Sequence, residues 1–276
     1  MVLYGNLQCS IGLQQTMARA LRALLRPAAP PRRRHQSSIT SCVAWGDTST
    51  WWDWSARCLT LSAEAAGLPM KHCPNFREVW DRENSFVTRV HGVAFATPHD
   101  SVHMRVPAVS VAPRLARVSR RSFGWRCDLR DAATDELLAT THGTFVHVDT
   151  ETYSRAVEMS DAMLAELRPL ATGEDRADAP EFPDDAWAPV DWTTVVRGSD
   201  ADDFGHVNNA KWAYLAADAL RAAGDRGPPT SVDVAYLRPA VPGDALAATM
   251  AESDCGAARV ALEVGGATAV AVDFTF

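Results

Sequence analysis

The most regular hydrophobic pattern of the chain lies in residues 199–220, where a polar stretch gives way to a helical repeat. Its apolar positions recur at i, i+3, i+4 and i+7, which is one face of an amphipathic helix, and they are Trp212, Leu215, Ala216 and Ala219. Asn208 or Asn209 would cap the start of this helix. Because residues 192–196 form a short β-type run, the predicted order is strand, polar loop, helix.

An earlier part of the chain has the same order of elements. We predict a strand over residues 38–45 and a helix over 50–66 that stops at Gly67. Two β-rich runs follow, at residues 85–96 and 101–111, and a turn at 98–100 joins them. Two more runs, at 115–129 and 136–148, form a hairpin around residues 131–135. The pattern predicts a strand, a helix and then several antiparallel strands.

The later part repeats this pattern after the helix at 210–223. Its predicted strands are 230–238, 245–252, 258–264 and 267–276, and the last two form a hairpin over Gly265 and Gly266. Two copies of one element order, at 38–149 and 191–276, indicate a tandem duplication. Residues 150–190 separate them and consist of a partly helical stretch followed by an acidic, proline-containing linker. Neither copy is a βαβ repeat, which disfavours a doubly wound sheet.

The loop before the second helix carries the candidate chemistry. Asp202 supplies a carboxylate and His206 a group that can carry a proton. Backbone N–H groups at the helix start, near Gly205, Val207 and Asn208, can stabilise developing negative charge. This combination suits attack on a carbonyl. Two alternatives stay open: the acids either carry chemistry or are only turn and cap residues, and Asn209 either positions water or substrate or is only a cap.

The whole string resembles the signature of hot-dog-fold thioesterases. It reads D-x-D-x-x-G-H-V-N-N-x-K-W over residues 200–212. In bacterial acyl-CoA thioesterases of the hydroxybenzoyl type, the second Asp is the catalytic carboxylate, and that position here is Asp202. Plant acyl-ACP thioesterases continue with H-V-N-N-x-K-Y, which matches residues 206–212 with Trp212 in place of Tyr.

Further stretches of the chain are similar to the acyl-ACP thioesterases. Residues 39–68 resemble that family's first strand and helix, and residues 119–138 resemble its hairpin, with R-R followed by R-D-x-x-T-x-E-x-L. The resemblance implies an α+β chain with a tandem (double) hot-dog fold, in which two antiparallel sheets each wrap a long helix. The implied domains are residues 38–149 and 191–276, with the catalytic loop in the second.

Two positions depart from the plant family. Phe204 stands where that family has an Asn, and Pro239 stands near the place of an acid or a Cys, with no acid before Asp244. The plant catalytic network is therefore incomplete. The D-x-D-x-x-G form needs neither group, so Asp202 can still serve. The first copy has only Asp47 in the corresponding loop, which predicts one active site per chain.

Residues outside the loop are candidates for substrate contacts. Trp51 belongs to a tryptophan-rich run that either lines an acyl pocket or packs in a core or interface. Arg120 and Arg121 lie in a basic segment that either meets an acidic carrier protein or CoA phosphates, or is a solvated strand face with local acidic partners.

Charge and composition limit where the protein is located and what it binds. Residues 1–46 hold six Arg and no acid, whereas the whole chain has a net charge of −7. We interpret residues 1–37 as an unstructured organelle transit peptide. The plastid is favoured over the mitochondrion, although the leader itself does not separate the two. The acidic body disfavours nucleic-acid binding, and no apolar run is long enough to span a membrane. The six cysteines are dispersed, which predicts neither a metal site nor a disulfide framework.

The favoured function is hydrolysis of fatty acyl-ACP, with acyl-CoA as the alternative substrate and no cofactor. The second hypothesis is a non-catalytic acyl-binding or carrier-docking protein that keeps the fold. A dehydratase ranks third because the usual histidine contexts are not matched. Assembly into a homodimer stays open.

Overall fold

The computed structural model describes residues 41–44, 50–82, 85–96, 108–151, 155–174, 187–224 and 226–276. The elements before residue 150 are β1 (Ser41–Ala44), α1 (Trp51–Ala65), α2 (Pro74–Arg82), β2 (Phe86–Phe95), β3 (Ala108–Val118), β4 (Ser122–Asp131) and β5 (Leu137–His147). Those that follow are α3 (Asp161–Leu167), β6 (Ala188–Val195), α4 (Asn209–Ala223), β7 (Ser231–Tyr236), β8 (Ala245–Glu252), β9 (Ala258–Val264) and β10 (Ala267–Thr275). Leu68–Met70, Arg168–Leu170 and Gly198–Asp200 are single 3-10 turns.

The strands form one antiparallel sheet in the order β1-β3-β4-β5-β2-β7-β10-β9-β8-β6. This confirms an α+β chain but corrects the expected two sheets, because β2 pairs with β7 and joins them edge to edge. The pairing places Val90 opposite Ala235 and Ala94 opposite Ser231. Strand edges carry unpaired backbone N–H and C=O groups, and this contact satisfies those of β2 and β7 at once.

The order of the strands in the sheet differs from their order along the chain. The sequence suggested that residues 85–96 and 101–111 are joined by a turn, yet β2 lies between β5 and β7, whereas β3 lies between β1 and β4. The turn itself falls outside the described residues. Alternation of side chains identifies a strand, but it does not specify which strand lies beside it. A second difference is the tight turn between β3 and β4, which divides the single run expected over residues 115–129.

Most of the other predicted elements agree with the structure, but β6 begins at Ala188, inside the expected linker, and α2 was not predicted. β8, β9 and β10 occupy the expected residues, and Gly265 and Gly266 turn the last hairpin with φ of 58° and 77°. Such left-handed values are accessible to glycine at little cost. Residues 1–37, the expected leader, lie outside the described part of the chain, so that interpretation stays a prediction.

Two helices of 15 residues each pack on the strands of their own half and on each other. Between them, the Tyr214 hydroxyl of α4 donates to Asp53 Oδ1 of α1 at 2.8 Å. The Trp51 ring of α1 meets Phe274 of β10 edge-on, with ring centroids 5.8 Å apart. The two halves therefore share a continuous apolar core. None of the described helices is long and apolar enough to cross a membrane.

A polar row crosses the sheet where the two halves meet. Register places Arg126, His142, Gly92, Asp233, Asp273 and Arg259 side by side on consecutive strands. His142 Nε2 lies 2.8 Å from Asp233 Oδ1, so this pair spans β2 directly above Gly92. A Cβ atom at position 92 would lie 2.2 Å from Asp233 Oδ1 and 2.5 Å from His142 Cε1. The contact across the junction therefore requires glycine.

A second polar contact is buried inside the first half. His91 of β2 and Ser62 of α1 are fully buried, with Nε2 and Oγ 3.0 Å apart. The Ser62 hydroxyl donates its proton to the Cys58 carbonyl at 2.8 Å. In the contact with His91, Nε2–H is therefore the donor and Ser62 Oγ the acceptor. Burial lowers the pKa of His91 from 6.5 to about 3, and the charge of His142 acts in the same direction. His91 is therefore neutral in the folded protein at neutral pH.

We expect Gly92→Ala to lower the free energy of unfolding by roughly 1–3 kcal/mol, the usual effect of forcing atoms into a packed site. Chemical denaturation of purified protein measures it. Gly227→Ala is the matched control, since a Cβ there meets nothing within 4 Å. In the double variant Gly92→Ala and Asp233→Ala, the further loss of unfolding free energy caused by Gly92→Ala should be smaller than in the wild-type background. Equal effects of Gly92→Ala with and without Asp233 would contradict the proposed clash.

We expect stability to fall on acidification because of His91. Above pH 6.5 the histidine is neutral in both states and contributes no pH dependence. Between pH 6.5 and about 3 the unfolded chain binds a proton that the folded chain does not, so stability falls as pH falls. The slope from this group approaches about 1.4 kcal/mol per pH unit. His91→Gln should remove that component, while His72→Gln, at an exposed position, should keep it. Identical slopes for His91→Gln and the wild type would refute the assignment.

Candidate active site

The candidate site is the loop that connects β6 to α4, in the order predicted from the sequence. Asn208 is the N-cap of α4, and its Oδ1 accepts the N–H of Ala210 at 2.9 Å. Asn209 is the first helical residue. This settles which of the two asparagines caps the helix, because Asn208 alone has the extended backbone and the side-chain contact of a cap.

The loop folds back on itself as a small hairpin. Ala201 and Val207 form an isolated antiparallel bridge. Asp202 donates its N–H to the His206 carbonyl at 2.8 Å, and Gly205 donates its own to the Asp202 carbonyl at 3.0 Å. Gly205 has φ of 77°, a conformation that favours glycine. The glycine of the motif is thus required by the turn that presents Asp202.

Asp202 is half-buried, and its two carboxylate oxygens differ. Oδ1 accepts the N–H of Phe204 at 2.9 Å and so closes the turn. Oδ2 has no hydrogen-bond donor among the described residues. Asp203 is exposed, and Asp200 uses its Oδ2 to accept the N–H of Arg197 at 2.9 Å. Asp200 and Asp202 are thus both partly buried, and each uses one carboxylate oxygen within the loop, so the choice of Asp202 rests on its position in the motif.

The amides expected to hold an oxyanion are largely occupied. The N–H of Gly205 binds the Asp202 carbonyl, that of Val207 binds the Ala240 carbonyl at 2.9 Å, and that of Asn208 binds the Asp200 carbonyl at 2.8 Å. The expectation that these three donors are free is therefore corrected, since the loop uses them to hold its own shape. The N–H groups of His206 and Asn209 have no acceptor in the described part of the chain.

The other two candidate catalytic side chains of the loop lie at the surface. His206 and Asn209 are exposed. The Asn209 carbonyl accepts the hydroxyl of buried Tyr236 at 3.1 Å, which ties α4 to β7. Burial raises the pKa of Tyr236, so its hydroxyl stays protonated and keeps donating.

The segment after β7 lies against the motif loop. Gly243 donates to the Val196 carbonyl, and Val196 donates to the Asp244 carbonyl, both at 2.9 Å. Asp244 uses its Oδ2 to accept the N–H of Val241 at 2.9 Å. The nearest acid in the segment that carries Pro239 is thus part of a tight turn.

The candidate residues outside the loop are not brought to it by any described contact. Trp51 is buried against Trp52 and Phe274, which is the core and interface packing considered in its alternative interpretation. Arg120 and Arg121 lie in the turn between β3 and β4. Both pair with Glu158, at 3.2 and 3.4 Å, and their side chains are 67% and 59% exposed.

Sequence reasoning missed the contact between Tyr214 and Asp53. Tyr214 lies in α4 beyond the motif, and burial raises its pKa, with Asp53 acting in the same direction. The available signal was Asp53 itself, an acid among three tryptophans at the start of an apolar helix. Among the described residues no three His, Cys, Asp or Glu side chains are grouped so as to hold a metal ion.

Several solved structures of thioesterases are similar to this chain. The 12:0-ACP thioesterase from Umbellularia californica has a TM-score of 0.64 and 15% identity, covering 88% of this chain and 98% of its own. An acyl-ACP thioesterase from Bacteroides thetaiotaomicron has a TM-score of 0.65 and 13% identity, with 86% and 96% covered. A protein described as an oleoyl thioesterase from Lactobacillus plantarum has a TM-score of 0.63 and 17% identity, with 87% and 96% covered.

No protein-family model matches the chain, and no curated protein matches it by sequence. At identities of 13–17%, the structural likenesses establish the fold. They confirm the resemblance that the motif suggested: this chain has the hot-dog fold of the acyl-ACP thioesterases.

Proposed function

We propose that this protein hydrolyses acyl thioesters and that Asp202 carries the reaction. The observation that supports it best is the unshared Oδ2 of Asp202, held by a rigid turn at the start of a long helix within a thioesterase fold. A thioester needs a nucleophile or base at its carbonyl carbon, and a partly buried carboxylate on a preorganised loop meets that need.

The reaction adds water across the C–S bond. Asp202 attacks the carbonyl carbon and forms an anhydride that water then cleaves, or it removes a proton from the water that attacks. The oxyanion of the tetrahedral intermediate would accept hydrogen bonds from the N–H groups of His206 and Asn209 at the helix start, where the helix dipole favours negative charge. His206 would carry a proton to the departing thiolate, and the products are a carboxylic acid and a thiol.

The two halves of the sheet have the same strand order, which supports a tandem duplication. The strand orders β1-β3-β4-β5-β2 and β6-β8-β9-β10-β7 are identical in the two halves, as a tandem double hot-dog fold requires. We propose that residues 38–149 and 191–276 are the two repeats, that 150–190 connects them, and that only the second carries the catalytic loop.

The substrate we favour is fatty acyl-ACP, with acyl-CoA as the alternative, in an organelle and in the plastid before the mitochondrion. The acyl-ACP thioesterases of the same fold and the arginine-rich leader support this choice. Arg120 and Arg121 would meet an acidic carrier, since both are exposed and share one acidic partner, Glu158. A homodimer remains part of the proposal to be tested.

A non-catalytic acyl-binding protein is the second candidate. One observation favours it: Asp202 Oδ1 is engaged in capping the turn through Phe204, a residue that replaces a polar one in the plant pattern. If purified protein releases no thiol from acyl-ACP or acyl-CoA of any chain length between four and eighteen carbons, this candidate replaces the hydrolase.

We expect Asp202→Asn to reduce kcat by a factor on the order of 10² to 10⁴, the range for loss of acid–base assistance. The Asn oxygen can still accept the Phe204 N–H, so the thermal melting temperature should be unchanged. Asp203→Asn is the matched control, because Asp203 is an exposed neighbour in the same turn; its turnover should stay near the wild-type value. An Asp202→Asn enzyme with near-native kcat would overturn the assignment.

We expect the double variant Arg120→Ser and Arg121→Ser to raise KM for acyl-ACP by roughly five-fold with little change in kcat, since exposed ion pairs contribute about 1 kcal/mol or less. KM for acyl-CoA should respond less if the arginines meet the carrier protein. The control is Arg77→Ser, an exposed arginine paired with Asp81 elsewhere. Unchanged KM for both substrates would remove the two arginines from the carrier site.

A further inference from the structure

Exposed apolar residues occur in the motif loop and in the two segments whose backbones are hydrogen-bonded at or next to it. The described chain has seven large hydrophobic residues that are exposed, and four of them lie in or beside this loop. They are Val195 at 54%, Phe204 at 65%, Leu237 at 51% and Val241 at 42% exposure. We refer to these four as the apolar rim. Scattered single exposed residues need no explanation, whereas a cluster of them marks a binding surface.

Hydrogen bonds hold the segments of the apolar rim together. Val207 donates to the Ala240 carbonyl and joins the motif loop to the segment that carries Leu237 and Val241. Gly243 donates to Val196, the residue after Val195, and joins that segment to the end of β6. Each of these bonds is 2.9 Å long. The rim is therefore built on a connected backbone that also carries Asp202.

Phe204 is the most exposed of the four and the closest to Asp202 in the chain. Its N–H donates to Asp202 Oδ1 at 2.9 Å, so its backbone is fixed relative to the carboxylate. A phenylalanine that is 65% exposed gains little from the folded core. A role in binding an apolar group explains why such a side chain occupies the turn.

The charges of the rim segments limit what can bind there. Residues 195–206 and 237–244 contain the acids Asp200, Asp202, Asp203 and Asp244, against the arginines Arg197 and Arg238. This surplus of acids repels phosphates and acidic protein faces. A neutral hydrocarbon meets no such penalty and covers the exposed apolar surface. The rim therefore suits the acyl end of a thioester better than its phosphate-bearing or acidic carrier end.

We propose that the apolar rim receives the hydrocarbon chain of the substrate and that Phe204 sets a preference for long acyl groups over short ones. This inference rests on the proposed thioester hydrolysis at Asp202. A chain that crosses Phe204 buries apolar surface on both partners, and the gain grows with each methylene in contact. A four-carbon acyl group has fewer methylenes to bury than a fourteen-carbon one and therefore gains less.

The first measurement is kcat/KM for acyl-CoA substrates of four and fourteen carbons. We expect Phe204→Ser to reduce the ratio of the fourteen-carbon to the four-carbon value by about ten-fold and Phe204→Leu to restore most of it. Phe276→Ser is the matched control. Phe276 is 40% exposed, but it follows the last residue of β10, whereas Leu237 lies at the other end of the β7–β10 pair. It should leave the ratio unchanged. If Phe204→Ser also leaves the ratio unchanged while hydrolysis proceeds, the role of Phe204 is refuted and the proposed function stands.

The second measurement does not depend on turnover. We expect calorimetry with non-hydrolysable acyl-CoA thioethers of both lengths to give a lower Kd for the longer chain. Phe204→Ser should raise the Kd of the longer chain by about ten-fold. If the wild type binds in this way but hydrolyses no thioester, the proposed function falls and the acyl-binding role of the rim stands. Light scattering completes the test: if Phe204→Ser converts a dimer into a monomer, a second copy of the chain covers the rim and the proposal is overturned.

Discussion

The pairing of β2 with β7 is the contact on which the rest of the structure depends. It merges the strands of the two halves into one sheet. Since each long helix packs on its own strands, the merged sheet also brings α1 against α4. The hydrogen bond from Tyr214 to Asp53 and the contact of Trp51 with Phe274 follow from that arrangement. The pair of His142 and Asp233 spans the same junction and requires glycine at position 92.

The motif loop illustrates how much of a candidate site is devoted to its own shape. Most of its donors are satisfied within the protein: the N–H groups of Gly205, Val207 and Asn208 bind backbone carbonyls, and Asp202 closes the turn with one oxygen. Such a loop needs little reorganisation when charge develops, which is the main physical advantage of a preorganised site. The unshared oxygen of Asp202 and the N–H groups of His206 and Asn209 remain available for a substrate.

The elements could be predicted from the sequence because their signals are local. The period of α4, the asparagine cap and the glycine pair of the last hairpin each lie within a few residues of the structure that they specify. The neighbours of β2 could not be predicted, since alternation does not distinguish β5 and β7 from β3, the next strand along the chain. The availability of the loop amides was also hidden, because the acceptor of the Val207 N–H is Ala240, on a separate segment. Sequence reasoning located the candidate site but not its hydrogen bonds.

The two departures from the plant pattern acquire a common physical interpretation in the folded chain. Phe204 and Pro239 replace polar groups, and both lie in segments that form the apolar rim around Asp202. The Asp202 carboxylate keeps one oxygen that the loop does not use, and exposed apolar residues lie in the segments around it. A site of this kind would rely on one carboxylate for chemistry and on hydrocarbon burial for binding. The replacements therefore fit an altered division of work within the loop better than a simple loss of function.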